Sequence, residues 1–313
     1  MSPMLPQFSP ASLQAIVPMA DVSLLHESSR AVDQAAKRSR CACGAATPLG
    51  VRLFLRSRHR PMFEGRWSCG AACLRQAVQA AVAREASTAT QAKPHRHRIP
   101  LGLVLLVSGA VSHFDLRRSL ALQRDTSDRI GDVLMRSCGI TERQITRAVA
   151  VQWNCAPWNV GGMNAGRMAR VTPRALVERC GGLPLRVGSH GRLSLAFAHA
   201  VDAQFAFALQ RMHSMPVDCG IAVLSAWDLA RERWLAAENH PVSKVTCEGT
   251  AGLQHEIAKT LRRMQPVQSQ LVRVHEMYWL RLWLEPAAVA GGPTHAEDAL
   301  DFLFTLTAAG EVA

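Results

Sequence analysis

One motif is written twice in this chain, 29 residues apart. Pro100-Leu101-Gly102, Leu105-Leu106, Gly109, Val111, Leu116, Leu120 and Gln123 recur as Arg129-Ile130-Gly131, Leu134-Met135, Cys138, Ile140, Ile145, Val149 and Gln152. Every apolar position and the closing glutamine keep register. A repeat at fixed period is one supersecondary unit used twice, each copy covering an apolar face that neither could bury alone.

The local signals in both copies are helical. Pro100 suits the first position of a helix, and Ser112 with Asp115 forms a variant capping box ahead of the next one. In the second copy Ser127 and Asp128 are cap candidates, and Thr141 with Gln144 makes another capping box. Each unit is therefore expected to be a short helix, a tight turn at Gly109 or at Cys138-Gly139, and a longer helix. The i, i+4 pairs Leu116/Leu120 and Ile145/Val149 put apolar residues on one face of each long helix.

Around this repeat the composition shifts in blocks. With 313 residues, 48% of them hydrophobic, the chain has room for roughly two domains. Residues 1–98 hold 14 Lys+Arg against 5 Asp+Glu, which places +9 of the net +12 in the front third. A basic segment fits nucleic acid, anionic lipid or an acidic partner, and equally a solvated arm. With one Tyr in the chain and few aromatics up front to stack on bases, nucleic acid is the least favoured partner. No basic stretch precedes the weakly apolar Ala15–Met19 segment, so no signal peptide is expected. The longest apolar run, Ile99 to Val111, falls well short of the roughly 20 residues of a membrane span. A cytoplasmic protein is expected, and the nine cysteines agree with a reducing compartment.

The expected organisation is a disordered leader over 1–40, a zinc-binding module with a helix over 41–86, and a linker over 87–97. The helical repeat fills 98–170, an α+β module 171–238, and a C-terminal α/β segment of unassigned role 239–313. Within 171–238 the order is a helix from Thr172-Pro173 to Cys180, strands at Leu183–Val187 and Leu193–Ala198, a helix from Ala203, a strand from Val217 and a helix from Ala226. That order suggests a small, mostly antiparallel sheet. The tail is expected to hold a helix from Leu253 to Met264, a strand region from Leu271 to Leu284, and a last helix introduced by Thr294 and Glu297. The fold class is α+β.

Cys41, Cys43, Cys69 and Cys73 form two close pairs, and four thiolates in two knuckles suit tetrahedral zinc. Gly44 and Gly70 follow cysteines where the backbone must turn tightly. C-x-C with C-x-x-x-C is looser spacing than a zinc ribbon uses, and four buried thiols in an Ala-rich region is the plainer alternative. Metal would supply folding energy to a segment short of large apolar residues. Such a module would present Arg52 to Arg60. Cys138, Cys155, Cys180, Cys219 and Cys247 sit among apolar neighbours and are expected in the core, as are Trp153, Trp158, Trp279 and Trp283.

The duplicated motif, followed by Leu183-Pro184-Leu185, Arg192-Leu193-Ser194-Leu195-Ala196 and Asp202, resembles the N-terminal domain of type II secretion and type IV pilus assembly ATPases (GspE/PulE/PilB type, MshEN-like). The resemblance runs over 98 to about 236. Some members of that family bind cyclic di-GMP through the paired motifs. The resemblance therefore implies a ligand site made by Arg98, Leu101, Gly102, Leu105, Leu106, Gly109, Arg129, Ile130, Gly131, Leu134 and Met135. Helix starts would face the phosphates, Gly102 and Gly131 would admit the ligand to the backbone, Arg129 would stack on or pair with a guanine, and the leucines would touch purine faces. The chain departs from the pattern in three places: Pro100 stands where the family has arginine, Cys138-Gly139 replaces Gly-Leu, and His199-Ala200 replaces Asp-Pro. On fold logic the same leucines and glycines could simply pack a helical repeat.

No GxxxxGK followed by Ser or Thr occurs in the sequence, so the phosphate-cradling loop of an ATPase motor is missing from it. His255-Glu256 lacks the second histidine of a zincin helix, since Lys259 stands there, and no nucleophile has a placed base. The expectation is a non-enzymatic regulatory protein that senses a cyclic dinucleotide. The alternatives are a ligand-free adaptor for a secretion or pilus protein partner, and a basic nucleic-acid binder.

Overall fold

A computed structural model describes Cys41 and residues 61–91, 99–238, 241–286, 289 and 299–307. The expected leader, Cys43, the arginines of 52–60 and Arg98 lie outside the described residues. The fold is α+β, with a helical repeat and two four-stranded sheets.

The repeat comprises α2 (Leu101–Val107), α3 (His113–Thr126), α4 (Ile130–Cys138) and α5 (Glu142–Gln152), and it follows α1 (Ala71–Gln91). Its caps are largely those the sequence predicts. Ser112 accepts from Asp115 N, and Thr141 and Gln144 form the complete reciprocal box. Two cap expectations are corrected. Pro100 is the N-cap of α2 rather than its first residue, and Arg129 takes that place in α4, because Ser127 ends α3 in the left-handed region at φ 56° and Asp128 pairs with Arg136.

The two units embrace rather than follow one another. The long α3 packs on the short α4 of the other unit, and α5 on α2. Gln123 Nε2 donates to Asp128 O at 2.9 Å, and its repeat mate Gln152 donates to Ile99 O at 2.9 Å. Each unit's last side chain thus holds the other unit's first carbonyl, the reciprocity of a two-fold interface written within one chain. Leu105, Val111, Leu134, Ile140 and Ala148 fill the shared core.

The first sheet has the order β3-β6-β5-β4, from β3 (Ala156–Trp158), β4 (Leu183–Val187), β5 (Leu193–Phe197) and β6 (Val217–Ala222). The expected mostly antiparallel arrangement is overturned: β3 and β5 both run parallel to β6, and only β4–β5 is antiparallel. Between β5 and β6 the chain crosses over through α8 (Ala203–His213), and a helical crossover returns the chain in the same direction. The boundary expected at 170 also gives way, since β3 belongs to this sheet. Short helices α6 (Ala165–Met168) and α7 (Arg174–Cys180) precede β4, and α9 (Leu224–Ala236) follows β6.

The second sheet, in the order β7-β10-β9-β8, comes from β7 (Val242–Glu248), β8 (Gln268–Val274), β9 (Met277–Trp283) and β10 (Ala299–Thr307), with α10 (Gly249–Met264) after β7. Where a last helix was expected, β10 is a strand: it pairs with β9 and β7 on its two sides, so both its edges and both its faces are occupied. Alternation along β9 sorts two cores. Tyr278, Leu280 and Leu282 face α1 and α10, whereas Met277, Trp279 and Trp283 join the core of the first sheet.

Residues 61–86 share their core with the C-terminal sheet. The hairpin of β1 (Met62–Phe63) and β2 (Arg66–Trp67) is anchored to β8 through Met62 N to Pro266 O at 3.0 Å and Glu64 N to Ser269 O at 2.9 Å. Leu74, Val78, Ala81 and Val82 of α1 pack among Leu253, Ile257 and Leu261 of α10. The helix runs on to Gln91, into the region expected as a linker.

Buried polar groups join the two sheets. Arg281 and Asp301, paired in register, are fully enclosed, and Val171 O accepts from Arg281 Nη1 at 3.0 Å and from His213 Nε2 at 2.7 Å. Burial, followed by the Arg281 charge, drives the His213 imidazole down to about 3 from 6.5. The fold therefore holds it neutral, and its contribution to stability is intact above 6.5 and drains away as the pH falls toward 3. Urea melts across that range should show this slope in the natural chain, and a weaker one in His213→Gln.

Candidate ligand cleft and thiol cluster

The start of α4 opens into a cleft of about 150 Å³ between the repeat and the first sheet. Arg129, Ile130, Gly131, Asp132 and Met135 come from α4, and Glu142, Ile145, Thr146, Val149 and Gln152 from α5. Leu101 reaches in from the first unit, Ala198 and His199 from the end of β5, and Leu224 from the start of α9. The walls are mainly apolar, with a few polar groups at the mouth, the usual make-up of a small-molecule site.

The electrostatics of the mouth are mixed. Arg129 is exposed. Partial burial, and then the Arg129 charge, hold the His199 imidazole below its ordinary value, while Asp132 and Asp228 pull the other way. Glu142 is committed to the first turn of α9, accepting from Ser225 N at 3.2 Å and Ser225 Oγ at 2.6 Å, a carboxylate at the positive end of a helix. Arginine with a nearby carboxylate offers both donors and acceptors in one place, which matches the edge of a guanine: O6 and N7 accept, and N1–H and the amino group donate.

The residues singled out from the sequence divide. Leu101, Arg129, Ile130, Gly131 and Met135 line this cleft. Leu105 and Leu134 are buried in the core between the units, out of reach of a purine face. Leu106 is half-buried and lines neither of the two clefts described here. Gly109, at φ 71°, lines a second opening of about 300 Å³ with Val104, Gln144, Arg147 and Val151. The motif glycines serve the repeat's own packing: a Cβ on Gly102 would lie 2.9 Å from Leu116 Cδ1, and one on Gly131 3.3 Å from Ile145 Cγ2. His199, Asp132 and Leu224 were not singled out. His199 alone carried a signal, since it stands where the family pattern has aspartate.

Three of the four expected metal ligands converge. The thiols of Cys41, Cys69 and Cys73 lie within 4.8 Å of one another, Cys41 Sγ and Cys73 Sγ are 3.3 Å apart, and Cys69 N donates to Cys41 Sγ at 3.1 Å. Cys69 precedes α1 and Cys73 sits in its first turn, while Cys41 is bridged to Trp67 of the hairpin. Thiolates around tetrahedral zinc stand about 3.8 Å apart, given Zn–S of about 2.3 Å, so this group fits an ion with modest adjustment. Among the described residues no helix is long and apolar enough to cross a membrane.

No protein-family model and no curated protein matches the chain. Among solved structures, MshE with cdg is similar to it at 21% identity over 44% of this chain and 99% of that one, with a TM-score of 0.37. The N-terminal domain of XpsE in two crystal forms is similar at 19% identity in each. The first covers 43% of this chain and 92% of that one with a TM-score of 0.30, and the second 42% and 90% with 0.26.

Proposed function

We propose that the chain is a non-enzymatic regulatory binding protein of the secretion-ATPase N-terminal-domain type, and that the cleft at α4 takes one guanine of a cyclic dinucleotide. The observation that carries this is the meeting of Arg129 and Asp132 with His199 over an apolar wall of Leu101, Ile145, Val149 and Leu224. Arg129 pairs with the acceptor edge of the base, Asp132 accepts from its donor edge, and His199 faces the adjoining phosphate. A ligand seated there touches α4, α5, the end of β5 and the start of α9 together. It would fix the repeat against the first sheet, and that is the output such a sensor transmits.

Of the two motif copies, only the second supplies an arginine to this site. Pro100 occupies the place of Arg129 with nearly the same backbone, φ −55°, ψ 136° against φ −70°, ψ 139°, so the mate of the arginine is lost by side chain and not by geometry. Calorimetric titration with cyclic di-GMP tests both halves of this argument. Arg129→Ala should weaken binding at least tenfold, about 1.4 kcal/mol, and Pro100→Arg should tighten it. Equal affinity in all three proteins would sink the assignment.

Zinc held by Cys41, Cys69 and Cys73, with Cys43 as fourth ligand, belongs to the same reading and would be structural, pinning the hairpin to the start of α1. The adaptor reading draws on a different observation. Leu103 and Val107, four apart on α2, are exposed, as are Ile99 just ahead of that helix, Phe114 and Val151. A folded protein that gives no heat with the dinucleotide would direct attention to that strip as a protein-docking surface.

A further inference from the structure

Cys180, Asp202 and His275 bring three ligating atoms within 4.8 Å of one another from three distant parts of the chain. Cys180 ends α7, Asp202 is the N-cap of α8, and His275 stands in the two-residue turn between β8 and β9. The sequence placed Cys180 among the core cysteines. The structure sets it, half-buried, at the junction of the two sheets. We propose that these three side chains form a second metal site, taking zinc through Cys180 Sγ, a carboxylate oxygen of Asp202 and His275 Nε2, with water in the fourth position.

The donor set is the first support. A thiol, an imidazole and a carboxylate are the three ligand types zinc takes, and three protein ligands with one open position is the arrangement of sites that exchange ligands. Orientation is the second. Asp202 Oδ1 accepts from Phe205 N at 2.9 Å, which caps α8 and turns Oδ2 toward the histidine. The turn carrying His275 is held by Arg273 Nε donating to His275 O at 2.7 Å, and Arg179 pairs with the adjoining Glu276 at 2.7 Å. Such outer contacts are how metal ligands are aimed. His275 Nε2 and Asp202 Oδ2 are 2.6 Å apart, and a tetrahedral ion would part them to about 3.3 Å, a change that side-chain rotation supplies.

On binding, the Cys180 thiol gives its proton to solvent and the sulfur becomes a ligand. The ion would tie the β8–β9 turn to α7 and α8, stapling the second sheet to the first at a point remote from the cleft.

Cobalt titration of the chelator-treated full chain tests it, with His275→Ala and Cys180→Ser beside the natural protein and circular dichroism confirming that each is folded. Both substitutions fall on half-buried residues at an element end and a turn. The expected result is one fewer cobalt equivalent in His275→Ala, with the near-ultraviolet thiolate-to-cobalt band reduced in both variants. Variants that bind as many ions with an undiminished band would overturn the proposal. The outcome is independent of cyclic di-GMP binding, which reports on the other site.

Discussion

Asp301→Ala should lower the free energy of unfolding by about 3–5 kcal/mol, the cost of breaking a fully buried ion pair, read as a lower urea midpoint at unchanged slope. Asp301 is 1% exposed and its partner Arg281 0%. The carboxylate accepts from Arg281 Nε at 2.8 Å, Arg281 Nη2 at 2.6 Å and Trp279 Nε1 at 2.6 Å. With alanine there, the guanidinium keeps only Val171 O and its stacking on the Trp279 ring, 5.0 Å away, and the indole N–H loses its acceptor. A buried charge so stranded has no route to water. Replacing the pair together, Arg281→Met with Asp301→Leu, should fall much nearer the natural protein, because desolvating two ions offsets most of what their attraction returns. A loss below 1 kcal/mol for the single change would mean that solvent enters between the sheets.

Glu85→Ala should cost less, about 2–3 kcal/mol, and act more locally. Glu85 is 2% exposed and receives Arg211 at 2.6 and 2.7 Å, Arg84 at 2.9 and 3.1 Å, and Arg273 N at 3.1 Å. Its loss strands one backbone N–H, but the arginines have other recourse: Arg211 is 22% exposed, and Arg84, 43% exposed, keeps Glu64. Partial access to solvent is why the figure lies below that for a sealed pair. Since Glu85 ties α1 to α8 and β8, hydrogen exchange in 71–91 should rise ahead of the rest of the chain. Uniform acceleration everywhere would show instead that α1 and the sheets open as one unit.

Which parts of the molecule the sequence discloses follows from the range of the forces involved. The repeat was legible because helix periodicity, caps and turn glycines act within a few residues: Thr141 with Gln144, Gly109, and the pair Ile145/Val149 sit where local rules put them, whereas in α3 Leu120 is exposed and Ser119 is the residue turned inward. The parallel β5–β6 pairing was not, because strand direction depends on where α8 lays the chain down. The strand β10 was missed for a related reason. Thr294 and Glu297 look like a helix start, yet the segment after them is claimed by β7 and β9 on its two sides, and tertiary pairing overrides local preference. Part of the cleft was visible in Leu101, Arg129, Ile130, Gly131 and Met135. His199 and Leu224 arrive from elements separated from α4 by two or more strands and helices, and no spacing rule joins them. Likewise nothing in the sequence around Asp301 announces a partner at Arg281, since register is fixed by the sheet.

The reciprocal glutamine bonds have a mechanical consequence. Gln123 and Gln152 close the repeat into a ring in which neither unit is first: the opening of each is held by the finish of the other. A pull at the start of α4, where Arg129 sits, is felt through Asp128 O by Gln123 at the tail of α3, and a shift of α5 at the cleft wall is felt through Gln152 by Ile99 at the head of α2. Such a ring has no loose end at which a displacement could die out, and cutting the chain at Ser127 would leave two pieces that still clasp one another.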